Sequence, residues 1–82
     1  MKYVILNNRH PFLFPDWVSH KHIAEVMKDL LKKEYSMYTE PTSAGFVEVQ
    51  GEIKCSGESV SLNLKPNPKD EAIINFNLKK IE

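Results

Sequence analysis

Three histidines, His10, His20 and His22, fall within thirteen residues, and a single cysteine, Cys55, follows further along the chain. Together they are the residue types of a zinc site, which needs three or four such ligands to converge. The spacing argues against one. His20 and His22 are two apart, so on a helix they point about 200° away from each other. A zinc-binding helical pair is spaced i, i+4. Both also lie where a helix would begin, and the dipole there disfavours a cation. The expectation is exposed first-turn histidines, with no metal and no cofactor. Cys55 with His20 as its base would be a nucleophilic pair. The sequence names no third residue to orient the base, and a lone cysteine in a strand is more often a small buried hydrophobe. We therefore expect no catalytic residues and a protein that is not an enzyme, with an enzyme using Cys55 and His20 as the alternative. The serines near Gly57 form no Gly-x-Ser-x-Gly elbow, and three glycines in the chain cannot build a phosphate loop.

Two groups of residues suit binding rather than reaction. Ser59, Ser61 and Asn63 place short polar donors at two-residue spacing, which reads either as a solvated sheet face or as a face that orients a ligand. The segment Pro11-Phe12-Leu13-Phe14-Pro15-Asp16-Trp17 carries a heavy aromatic load. It reads either as a lid on a small core or as an exposed anchor at an interface. The candidate binding residues are thus Phe12, Phe14, Trp17, His20, Ser59, Ser61 and Asn63.

These residues need elements to hold them. Residues 2–7 are rich in β-formers, apolar on both faces and bounded by Asn7-Asn8, as in a central strand. Residues 8–18 read as a loop, because Pro11 and Pro15 forbid a helix there. Ser19 is a good N-cap, and Val18 and Ile23 sit at the positions of a hydrophobic staple. Ile23, Val26, Met27, Leu30 and Leu31 then mark one face of a helix over about 19–34. From Gly45 the period becomes two: strands at 46–50 and 52–55 turn at Gly51, and Val60, Leu62 and Leu64 alternate with polar residues as a further strand. Asn67-Pro68-Lys69-Asp70-Glu71 is a helix start, though Ile74, Phe76 and Leu78 alternate as in a strand. We read a helix over about 68–77. The result is an α+β fold in the order β-α-β-β-β-α, a small single domain over 1–82, with an antiparallel-rich sheet covered by one main helix.

Composition narrows the function. Eighty-two residues is one domain, and a chain this short buries only about 60–65% of the surface its unfolded form exposes. The 41% hydrophobic content excludes a disordered chain, and eleven Lys and Arg against eleven Asp and Glu exclude both a basic nucleic-acid wrapper and an acidic mimic of one. One cysteine makes no internal disulfide, the N-terminal apolar run is too short for a signal peptide, and no segment is a membrane span. These readings point to a soluble cytoplasmic protein that does not engage membranes, and they weigh against nucleic acid as a partner. A small core beside an unprotected sheet edge suggests a homodimer.

Several stretches also resemble a group of small uncharacterised phage and prophage proteins. They are Lys2 to Ile5, Phe14-Pro15 before His20, Ser43-Ala44-Gly45-Phe46, the strand Cys55-Ser-Gly57-Glu-Ser59-Val-Ser61-Leu62-Asn-Leu64, and Pro68-x-Asp70. The stretch from Leu31 to Thr42 is longer and richer in Lys and Tyr than that pattern. The resemblance implies origin in a mobile element and an accessory role, and it carries no reaction. The function expected is non-catalytic binding of a host protein, such as a defence component, or of a small signalling ligand. A nucleic-acid-binding regulator is a further alternative.

Overall fold

A computed structural model describes residues 1–81. Its elements are β1 (Lys2–Leu6), β2 (His10–Phe14), α1 (His20–Tyr35), β3 (Pro41–Gln50), β4 (Glu52–Ser56) and α2 (Asp70–Ile81). The four strands form one antiparallel sheet in the order β2-β1-β3-β4. The α+β class, the antiparallel sheet and the central place of β1 match the sequence expectation.

One strand lies elsewhere than the periodicity suggests. The expected loop at 8–18 contains β2, paired with β1 from Lys2↔Phe14 to Leu6↔His10. Asn7 and Asn8 both adopt positive φ, 54° and 58°, and the Arg9 N–H donates to the Leu6 carbonyl at 3.1 Å. Asparagine tolerates this left-handed geometry, which suits a tight hairpin. Pro11 is accommodated because β2 is an outer strand, where a missing N–H faces solvent. In compensation, residues 60–64 are not a strand. Ser59 and Leu64 form one isolated bridge, with N–H···O bonds of 2.7 and 3.1 Å, and the chain between them turns back on itself. Ser59 is buried and its hydroxyl accepts from the Leu62 N–H, while Val60 is 85% exposed, the reverse of the expected alternation.

Both sheet faces are covered, so the single main helix is half of the arrangement. On one face Val4, Leu6, Phe14 and Ala44 pack against Ala24 of α1, with Phe12, Ile23, Met27 and Leu31 around them. On the other, Tyr3, Ile5 and Val47 pack against Ile74 of α2, flanked by Leu13, Ile53, Cys55, Ile73 and Leu78. Helix α1 begins as expected: Ser19 is extended and its side chain accepts from the His22 N–H. Its buried face is narrower than the hydrophobic pattern, however. Val26 and Leu30 are 42% and 45% exposed, and the small Ala24 takes the inner position where the helix approaches the sheet.

Helix α2 is fixed by a reciprocal cap. The Asn67 side chain accepts from the Lys69 N–H at 3.0 Å, and the Asp70 carboxylate accepts from the Asn67 N–H at 2.8 Å. Its helical state resolves the ambiguity at 74–78: Ile74 is buried, while Phe76 is 59% exposed, as helical rather than alternating geometry requires.

Candidate functional site

The residues suspected of chemistry are dispersed to structural work. His20 is not an exposed first-turn residue. It is 3% exposed, its Nε2 lies 2.8 Å from the Gly45 carbonyl oxygen, and its ring meets Phe14 and Phe46 edge-on at 5.4 and 5.8 Å. A carbonyl only accepts, so Nε2 carries the proton. Burial is possible because the ring has this acceptor and two aromatic neighbours in place of water. Cys55 packs with Tyr3 and Val47 on the opposite sheet face, so the Cys55–His20 pair does not form. No group of three potential metal ligands gathers among the described residues.

The aromatic segment divides. Phe14 is 5% exposed and Phe12 packs half-buried in the same core, so the exposed Phe12–Phe14–Trp17 patch does not exist; Trp17 alone of the three stands out, 85% exposed. This follows from β2 alternation, which turns residues 12 and 14 toward α1. His20 and Ser61 do share a shallow hollow of about 410 Å³ with Lys2, Phe46 and Val60. There Ser61 accepts from the Lys21 N–H and so holds the turn to the helix start. Asn63, at φ 55°, is a turn residue.

A buried polar network lies under α2. Asp70, 1% exposed, accepts from the Tyr3 hydroxyl at 2.6 Å and from the Ser43 hydroxyl at 2.8 Å. Burial, and then the Asp70 carboxylate, hold the Tyr3 phenol protonated well above its ordinary range. Beside it, burial first and the Asp70 and Glu71 carboxylates next push the Cys55 thiol up to about 11, against the lowering effect of the nearby Tyr3 hydroxyl. Folding keeps the proton on both groups. The contribution of Cys55 to stability is therefore complete below about pH 9 and is lost as the pH rises through about 11, whereas that of Tyr3 is complete below about pH 10 and persists beyond pH 11. We expect Cys55 to react with an aromatic disulfide reagent at pH 8 about a hundredfold more slowly than free cysteine, from its smaller thiolate fraction. The rate should climb only as the pH approaches 11. A rate at pH 8 equal to that of free cysteine would contradict this placement.

An open groove of about 560 Å³ lies between the β1–β2 hairpin and α2. Asn8, Arg9 and His10 form its hairpin wall, and Lys69, Ala72, Ile73, Phe76 and Asn77 its helical wall. The hairpin tip is held firmly. Asn7 exchanges backbone and side-chain hydrogen bonds with Tyr38 and Glu40, and the Asn8 N–H donates to the Thr42 hydroxyl at 2.9 Å. Across from it, the cap at Asn67 and Asp70 sets where Lys69 emerges. Sequence reasoning does not single out Arg9, Lys69 or Phe76. The one signal was Asn7-Asn8, a hairpin turn whose strand was masked by prolines. No family model, no curated protein and no solved structure matches the chain.

Proposed function

We propose that this chain is a non-catalytic binding domain, of the accessory kind carried by phage and prophage, whose target is a host protein or a small signalling ligand seated in the groove between the hairpin and α2. The observation that carries this reading is the groove itself. Its volume lies within the range of small-molecule sites, and both walls are fixed by hydrogen bonds before anything binds. The separation of Cys55 from His20 favours binding over catalysis by that pair. The balance of eleven positive and eleven negative side chains favours a discrete target over nucleic acid. No helix among the described residues is long and apolar enough to cross a membrane.

We propose that a homodimer would use the outer edge of β2 only to either side of Pro11, which has no N–H to give a further strand. The opposite edge is occupied, because Glu71 accepts from the Cys55 N–H at 2.9 Å, a bond that turns this amide away from pairing with another strand.

The test is parallel affinity capture from host cells with the wild type, Phe76→Ala and Trp17→Ala, identifying both proteins and small molecules by mass spectrometry. A stoichiometric target lost with Phe76→Ala and kept with Trp17→Ala supports the groove. A target lost only with Trp17→Ala moves the site to the other end of the molecule, and the absence of any target overturns the reading.

A further inference from the structure

We infer that the groove selects a small anion with a planar apolar body, held by Arg9 and Lys69 at its charged end and by the α2 wall along its ring. This rests on the groove being the binding site. The walls are chemically unlike each other. Ala72, Ile73 and Phe76 come from successive turns of α2 and line this side of the groove with apolar surface, Phe76 contributing an aromatic ring. Arg9 comes from the hairpin and Lys69 from the turn that leads into α2, and both are exposed. His10 adds a third nitrogen base, and no acidic side chain lines the groove among the described residues.

The charges are available. Among the described residues the salt bridges are Met1 with Asp16 and Lys28 with Glu40, so neither Arg9 nor Lys69 is in an ion pair there. Both stand on backbone that is already fixed, Arg9 by the hairpin bonds and Lys69 by the helix cap. Lys69 also lies at the positive end of the α2 dipole, which favours an anion further. A guanidinium and an ammonium converging on one opening fit a phosphate monoester, sulfate or carboxylate. Asn77 donates one amide hydrogen to the Ile73 carbonyl at 2.8 Å, which leaves its other N–H and its oxygen on the apolar wall. Neither half is sufficient alone: exposed cations bind an isolated anion weakly through water, and the apolar wall has no means to orient an uncharged ring.

The probes are 2-naphthyl phosphate, 2-naphthol and inorganic phosphate, titrated into isotope-labelled protein while backbone amide shifts are followed. Naphthyl phosphate should move the amides of residues 8–10 and 69–77 and bind at least tenfold more tightly than either fragment. The double variant Arg9→Gln, Lys69→Gln should lose at least tenfold of that affinity, with its melting temperature unchanged and its response to naphthol altered less than twofold. If naphthol binds the same amides as tightly as its phosphate, or the double variant binds the phosphate normally, the selection of an anion is overturned while the groove remains a site. If none of the probes moves these amides, or all move those around Trp17 instead, the groove reading falls and this inference with it.

Discussion

Replacing Asp70 with alanine is expected to lower the unfolding free energy by about 3–5 kcal/mol, the range for removing one member of a buried charged network. A domain of this kind holds about 5–15 kcal/mol in total, so the loss is a large share of its stability. The carboxylate is 1% exposed and gathers donors from three parts of the chain: the Tyr3 hydroxyl of β1, the Ser43 hydroxyl of β3 and the Asn67 N–H ahead of α2. Alanine leaves the two buried hydroxyls facing apolar surroundings, each at about 1–3 kcal/mol, whereas the exposed Asn67 N–H regains water. Asp70→Asn keeps one acceptor oxygen but turns an amide toward a donor, and should cost less. The decisive comparison is Tyr3→Phe alone and in the Asp70→Ala background, by urea denaturation. Once the carboxylate is gone the Tyr3 hydroxyl has lost its acceptor, so Tyr3→Phe should cost less there than in the wild type, or recover stability. If Asp70→Ala costs no more than the ~1 kcal/mol typical of a helix cap, and the two substitutions simply add, the residue is a cap and nothing more.

The two helices were the legible part of this fold because their signals are local. Ser19 with the Val18–Ile23 staple, and Asn67-Pro68 with Asp70, each specify a start from a few adjacent residues, and the structure places both caps there. Strand β2 was not legible. Its defining feature is which way the missing N–H of Pro11 faces, and that depends on a neighbour order that residues 10–14 do not encode. The alternation at 59–64 misled for a related reason. Periodicity reports faces only if a partner strand exists, and here the chain instead folds into a turn that closes the start of α1 through Ser61. The groove lies a step further from the sequence. Its walls are about sixty residues apart in the chain, and they face each other only because the hairpin and α2 meet at one end of the sheet. His20 shows the same limit in a single residue. Its place in the first turn of α1 was legible, but its burial depends on Phe14, Phe46 and the Gly45 carbonyl, none of which is near it in sequence.

Gly45→Val should be as damaging as the loss of Asp70, at a cost of about 3 kcal/mol or more, the upper end of overpacking penalties. The reason is close approach rather than backbone conformation. A Cβ at this position would lie 2.7 Å from the Ser56 carbonyl oxygen and 2.9 Å from the Pro66 ring. Neither neighbour yields easily. Ser56 belongs to β4 and is paired with Phe46 in the sheet register, and Pro66 is a rigid ring on the segment that leads into α2. Nor can β3 retreat, because the Gly45 carbonyl accepts the hydrogen bond from the buried His20 ring, and moving it would leave that ring without an acceptor. Gly51→Ala is the informative contrast. Gly51 has φ 78° with open space around it, so alanine there meets only left-handed strain, about 1–2 kcal/mol. Thermal melts of the two variants separate the mechanisms. Adding Pro66→Ala to Gly45→Ala should recover part of the alanine penalty by removing one of the two contacts, whereas Pro66→Ala should do nothing for Gly51→Ala. Equal penalties at Gly45 and Gly51, with no rescue by Pro66→Ala, would mean that the sheet and the Pro66 segment are not packed as tightly as this geometry requires. In that case the path into α2, and with it the placement of Asp70 and Lys69, would have to differ as well.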